Sequence, residues 1–326
     1  MIPARKVISA ALAAGLVLGV TLASAQETYP ARPIRVIVPF SPGASDTQIR
    51  AIAPHLSSRL GQPLVVENVP GGGGVIAANQ IRAAQPNGYT LFFSGMAALT
   101  MVPALRNDVT YRLTDFTPIG NITTVTGVLV VRPNAPYKTM AEFIAYAKSN
   151  PGKLNFASPG VGTAGHTMCV GPQALNGFLL THIPYKGGAD VVNAVVAGNV
   201  DVGCALPSIV IPQMQAGNMR GLAVTAGARS EFLPDMPTYR EVGVDYTDGE
   251  SYGLLGPKGL PDAIVKKVSA AVAEAVKEPA FRDVMRKTYT SVQYLNPEQY
   301  LALLQERERD WQRYLAIPAF RELMKQ

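Results

Sequence analysis

The sequence predicts an α/β chain with mostly parallel sheets, arranged as two lobes around a cleft. Three observations lead there. Short apolar runs that read as strands buried on both faces alternate with helical patterns through most of the chain. A mature portion of about 300 residues is too long for one ordinary core and suits two. A strand-to-helix turn of small residues occurs twice, as Ser41-Pro42-Gly43-Ala44-Ser45-Asp46-Thr47 and as Ser158-Pro159-Gly160-Val161-Gly162-Thr163.

Arg5 and Lys6 precede a charge-free run over 7–22, and Ala23-Ser24-Ala25 supplies a small-residue cleavage pattern, so 1–25 reads as a secretory signal peptide. The run of about 16 residues falls short of the ~20 needed to span a bilayer. No Cys stands at the cleavage point, and Gly, Pro or charge interrupts every later apolar run. The expected product is a soluble, exported, periplasmic protein. Residues 34–38, 64–66, 89–93, 128–131, 154–157, 180–183, 200–202 and 222–224 read as strands. Capping-box patterns at Ser45 with Gln48, Thr139 with Glu142 and Asn296 with Gln299 mark helix starts. Residues 263–277 and 298–314 form two long amphipathic patterns. Crossings between lobes are expected within 123–131 and near Thr225-Ala226-Gly227, which makes 26–125 with 227–326 one lobe and 126–226 the other. Two crossings form a hinge, and a hinged pair of lobes is the architecture of a receptor that closes on its ligand.

A strand that ends in such a turn and feeds a helix leaves the first N–H groups of that helix without acceptors, an anion site that needs no charged side chain. Gly, Ser and Pro are common in any strand-to-helix turn, so either turn alone says little. Two turns about a hundred residues apart suggest two lobes gripping one anion. The candidates are Ser41, Gly43, Ala44, Ser45, Asp46 and Thr47 in the first turn and Ser158, Gly160, Gly162 and Thr163 in the second. His166 follows on the helix that the second turn opens, as a site residue or as a histidine satisfied inside its own lobe. Ligands of open α/β sheets sit beyond the carboxyl ends of strands, which adds Ser94, Met96, Tyr185 and Pro207. Lys186 reads as an anion attractor or simply as a solvated lysine.

Other chemistries find little support. Without Arg5 and Lys6 the 29 basic residues become 27 against 23 acidic ones, a charge of +4 spread along the chain, so a nucleic-acid partner is not expected. His55, His166 and His182 lack metal-ligand spacing, and no metal or cofactor is expected. Gly71-Gly72-Gly73-Gly74 lacks the Lys-Ser/Thr of a P-loop, and Ile76 stands where a dinucleotide fingerprint needs Gly. Gly249-Glu250-Ser251-Tyr252-Gly253 fits the G-x-S-x-G nucleophile elbow by letter, but the preceding residues are polar for a buried strand and no His follows His182. A serine hydrolase using Ser251 is therefore a minor alternative. Cys169 and Cys204 are either a disulfide pair or two buried thiols.

The ordered motifs resemble a known family. Tyr29-Pro30-Ala31-Arg32-Pro33-Ile34, Gly61-Gln62-Pro63-Leu64-Val65-Val66-Glu67-Asn68, the Gly71 to Gly74 loop and Asn87-Gly88-Tyr89-Thr90-Leu91 are similar to the first lobe of the Bug (Bordetella uptake gene) receptors, the TctC-like solute-binding proteins of tripartite tricarboxylate transporters. Ala157-Ser158-Pro159-Gly160-Val161-Gly162-Thr163 with His166, His182-Ile183-Pro184-Tyr185-Lys186-Gly187, and Leu222-Ala223-Val224-Thr225 with Arg229 continue the match. The resemblance implies a type II periplasmic binding fold. It also implies a carboxylate held by loop amides and hydroxyls, the second loop running to Ala164, and a monomer that delivers its ligand to membrane permease subunits. Pro42 departs from the family's usual Gly and removes one N–H donor. A sensor that reports the ligand to a signalling partner has the same requirements and stays open.

Overall fold

The computed structural model describes residues 29–185 and 187–325; the expected signal peptide and Lys186 lie outside them. Chain order runs β1 (Ile34–Val38), α1 (Ala44–Leu60), β2 (Leu64–Asn68), α2 (Val75–Arg82), β3 (Thr90–Gly95), α3 (Met96–Leu105), β4 (Phe116–Thr126), β5 (Val128–Val131), α4 (Met140–Ser149), β6 (Asn155–Ser158), α5 (Ala164–Asn176) and β7 (Thr181–Pro184). It continues through α6 (Gly188–Val196), β8 (Val202–Ala205), α7 (Pro207–Gln215), β9 (Arg220–Val224), β10 (Gly249–Pro257), α8 (Asp262–Ala275), α9 (Pro279–Lys287), β11 (Ser291–Leu295), α10 (Pro297–Ala316) and α11 (Pro318–Leu323).

The strands form two sheets, ordered β11-β4-β10-β3-β1-β2 and β7-β6-β8-β5-β9. The α/β class holds, but the sheets are mixed rather than mostly parallel. β1 runs parallel to β2 and β3, and β6 parallel to β7 and β8. β10 is antiparallel to β3 and β4, β11 to β4, and β5 to β8 and β9. The antiparallel members include the strands that carry the chain between sheets, which enter against the direction of the β-α-β units. β2 also departs from expectation: it lies at a sheet edge with Val65 52% exposed rather than buried on both faces.

β10 escaped the sequence reading because glycines and polar residues break its apolar pattern. Packing explains one of them: a Cβ on Gly253 would lie 2.6 Å from the Gly120 carbonyl oxygen and 2.7 Å from the Tyr300 ring. The G-x-S-x-G letters therefore sit inside a continuous strand, with neither the sharp turn nor the helix that an elbow needs. Thr139 caps α4 and Asn296 forms a full capping box with Gln299, as expected. Ser45 does not cap: Gly43 holds that position, and Gln48 is buried, accepting from Thr123 Oγ1 at 2.5 Å.

The first sheet buries one face under α1, α8 and α9, with Leu56, Val268 and Phe281 in the cluster, and the other under α2, α3 and α10, with Leu99, Tyr300 and Leu304. In the second sheet, Val191 and Val210 pack α6 and α7 on one face, and Phe143 and Cys169 pack α4 and α5 on the other. Trp311, Tyr314 and Phe320 join that last cluster, so α10 starts on the first sheet and ends on the second. Met236, Tyr239 and Tyr246 also pack with the second sheet. Its packing thus extends past the crossing expected at Thr225-Ala226-Gly227, and the chain rejoins the first sheet at Gly249. The crossings are stitched together. Gly127 N–H donates to Thr225 Oγ1 at 3.0 Å, Thr225 N–H to the Gly127 carbonyl at 3.0 Å, and Ala226 N–H to Thr126 Oγ1 at 3.0 Å.

Candidate functional site

The candidate residues fall where helices follow strands at carboxyl ends: α1 after β1, α3 after β3, α5 after β6, α6 after β7 and α7 after β8. The termini differ in what each already binds.

At α1, Gly43 is the N-cap with extended backbone (φ 175°) and Thr47 N–H closes the first turn on the Gly43 carbonyl at 2.8 Å. The amides of Ala44, Ser45 and Asp46 find no acceptor among the described residues, and Pro42 has no N–H to offer. Ser41, Gly43, Ala44 and Thr47 are exposed, whereas Ser45 and Asp46 are buried. The Asp46 carboxylate, a first-turn anion, takes both of its hydrogen bonds from Arg50 Nε at 2.9 Å. Arg50 Nη2 also donates to Asn68 Oδ1, and Asn68 Nδ2 to the Phe40 carbonyl. This chain of contacts ties the loop to β2.

The second turn is bound from within. Thr163 caps α5, and both its N–H and its hydroxyl donate to the Gly160 carbonyl, at 3.3 and 2.7 Å. Gly160 N–H donates to Ser158 Oγ at 3.1 Å, and Gly162 N–H to His166 Nδ1 at 3.3 Å. His166 is fully buried beneath the loop. Burial, with a smaller contribution from His182 beside it, lowers its pKa to about 4, so the ring is neutral and Nδ1 is free to accept. Phe156, His166 and His182 stack together, with the two imidazoles 4.5 Å apart, and the His182 Nε2 lies 2.7 Å from the buried Ser158 Oγ. The Gly160, Gly162 and Thr163 amides are spent inside the loop. Ala164 and Gly165 are left as the open first-turn donors. Sequence reasoning missed Gly165, whose added Cβ would lie 3.0 Å from the Cys204 carbonyl oxygen and 2.7 Å from Pro159 Cδ.

At α3 the terminus is plugged. Ser94 is fully buried, its hydroxyl on the Gly95 carbonyl, and Met96 belongs to the core beneath α3 and α10. Glu250 reaches across from β10 and accepts from Ala97 N–H at 3.1 Å. Burial pushes its carboxyl up to about 8 despite help from the Ala97 and Met96 amides. Nothing in the local sequence announces this contact, which joins residues 153 apart. Tyr185 N–H donates to the Ser158 carbonyl at 2.8 Å beside the second turn, and Pro207 is the buried first residue of α7.

Cys169 and Cys204 are free thiols, both buried. Among the described residues, no group of three or more His, Cys, Asp or Glu is placed to hold a metal, and no helix is long and apolar enough to cross a membrane.

The family model described as tripartite tricarboxylate transporter family receptor matches residues 48–317. The chain belongs to this family. Relatives include a UPF0065 protein in the gbd 5' region of Cupriavidus necator, 36% identical over 91% of this chain and 90% of that protein. Protein BugT of Bordetella pertussis is 30% identical over 90% and 91%. Among solved structures, MatC from Rhodopseudomonas palustris with bound malate superposes with a TM-score of 0.72 at 31% identity, covering 87% of this receptor and 99% of that chain. Periplasmic binding protein BugD gives 0.70 at 31%, covering 87% and 96%. An R. palustris protein with adipate gives 0.73 at 27%, covering 91% and 98%. Members of this receptor family are solute-binding proteins, and these neighbours carry the two-lobed periplasmic binding fold.

Proposed function

We propose that this receptor captures a small organic dicarboxylate between the α1 and α5 loops in the periplasm, closes on it about the 126–127 and 225–226 crossings, and hands it to a tripartite tricarboxylate-type permease without chemistry. The observation that carries the reading is the pair of open helix N-termini, at Ala44 to Asp46 and at Ala164 and Gly165, one on each sheet and neither filled by a carboxylate of the protein as α3 is by Glu250. Hydrogen bonds to a carboxylate contribute about 1.5–3 kcal/mol each. A few from each loop supply the ~8 kcal/mol of micromolar affinity. Malate and adipate in structural neighbours favour a dicarboxylate over a monoacid. Ser251 lies within a strand and shares a 3.2 Å hydrogen bond with Thr124 Oγ1 rather than with a histidine, which lends the hydrolase reading no support.

A thermal-shift panel of dicarboxylates with their diamides tests this. Ligands that bind only the folded state raise Tm. The expected result is a shift with a diacid that its diamide does not produce. Equal shifts from acid and amide would remove the anion site from the reading.

A further inference from the structure

We propose that the hinge carries a second binding site, separate from the two loops, for a small zwitterion of amino-acid size that enters carboxylate first. A cavity of about 480 Å³ opens beside the chain crossings. Its walls come from both sides of the hinge: Ser251 of β10, Gln293 of β11, Glu306 and Arg307 of α10, the 226–231 segment and Thr247. Neither the turn after β1 nor the turn after β6 lines it.

Two wall residues carry buried polar atoms with no partner among the described residues, Nε of Arg307 and Oγ1 of Thr247. Those residues are 7% and 5% exposed. An unmatched buried polar group is costly, and native proteins satisfy such groups with water or a ligand. Nη1 of the guanidinium is engaged: it donates to the Thr247 carbonyl at 2.5 Å and lies 3.2 Å from Asp310 Oδ2. The buried Nε edge remains for a carboxylate, and Arg recognises carboxylates through such an edge.

The charge around the cavity decides the rest of the ligand. Arg229 and Arg240, the other basic wall residues, are held by Glu241 at 3.0 Å and Asp245 at 3.5 Å. Glu231 and Glu306 also line the cavity, are exposed, and make no ion pair among the described residues. A bare anion meets two carboxylates at the mouth. A zwitterion meets an ammonium partner at the mouth and a carboxylate partner at Arg307.

The test is a ¹⁵N NMR titration of the purified protein with L-serine, with L-lactate and ethanolamine as probes lacking the ammonium and the carboxylate. Arg307→Met removes the donor. Gln293→Trp fills the cavity from an exposed wall position and serves alone if Arg307→Met does not fold. Saturable shifts of the Arg307 Nε–H and Thr247 amide with serine are expected, at least tenfold weaker with either partial analogue or in Gln293→Trp, and at least tenfold weaker at the Thr247 amide in Arg307→Met. Gly165→Ala, a lesion of the loops, should leave them unchanged. Absence of saturable shifts, or serine binding of parent strength in Gln293→Trp, would overturn the site. Lactate binding as tightly as serine would overturn the zwitterion, and loss of the shifts in Gly165→Ala would place serine in the loops instead.

Discussion

The turns that open α1 and α5 look alike in sequence and are built differently. The α1 turn is fixed from outside, through Asp46, Arg50, Asn68 and the Phe40 carbonyl, and keeps three consecutive first-turn amides open. The α5 turn is fixed from inside, by Ser158, Thr163 and the buried His166, and uses most of its own amides to hold its shape. One turn presents donors on a surface anchored elsewhere. The other is a preformed cradle whose rigidity depends on a neutral imidazole and on a glycine packed against backbone. α3 extends the contrast, because there the protein's own Glu250 occupies the N-terminus.

The largest expected effect breaks the comparison at its glycines. At Gly165 a methyl meets a carbonyl oxygen and a proline ring, so Gly165→Ala must displace the α5 turn; we expect about 1–3 kcal/mol lost in urea unfolding and carboxylate affinity at least tenfold weaker by calorimetry. At Gly43 the backbone is extended and the nearest atom to a new Cβ is the Ser41 carbonyl oxygen at 3.7 Å, so Gly43→Ala should change affinity less than threefold. Equal losses in both variants would mean the two turns are not built as described.

Glu250 gives the next largest effect. Its carboxyl, pushed from an ordinary 4.5 to about 8, keeps its proton in the folded chain at pH values where the unfolded chain has lost it. The stability it contributes is therefore full below pH 4.5 and declines as pH rises towards 8, by at most about 1.4 kcal/mol per pH unit. Glu250→Gln should be free of that decline, so the parent's stability relative to the variant falls across this window in pH-resolved melts. A flat difference would place a charged carboxylate at α3.

His166 has the opposite sign. Its pKa, lowered to about 4, means that the unfolded chain binds a proton first as pH falls, so stability is lost from pH 6.5 down to 4. His166→Phe keeps the ring and removes the acceptor of the Gly162 amide. Its stability should depend less steeply on pH in that window, while at pH 8 it should be less stable by about 1 kcal/mol. The smallest effect belongs to the outer anchor: Arg50 is half exposed in its pair with Asp46, and Arg50→Gln should cost less than about 1 kcal/mol, diminishing with salt.

What the sequence made legible was local. The apolar run 34–38 followed by small residues announced β1, its turn and α1, and the same grammar announced β6 and α5, because strand period and cap chemistry are written within a dozen residues. Glu250 at α3, Gln48 on Thr123 and Gly165 beneath Cys204 were not legible, since each depends on residues brought together from distant parts of the chain. β10 was hidden for a related reason: Gly253 is chosen by its neighbours in β4 and α10 rather than by strand propensity. The interior role of His166 was half visible, as a histidine one turn into a helix whose partner amide only the fold reveals.

The most direct test of the two-loop account is a ¹⁵N–¹H spectrum of the protein with and without a dicarboxylate that raises its Tm. The account expects the largest amide shifts at Ala44, Ser45 and Asp46 and, in the same titration with the same Kd, at Ala164 and Gly165. Shifts confined to one turn, or to neither, would contradict a carboxylate held between the two helix N-termini.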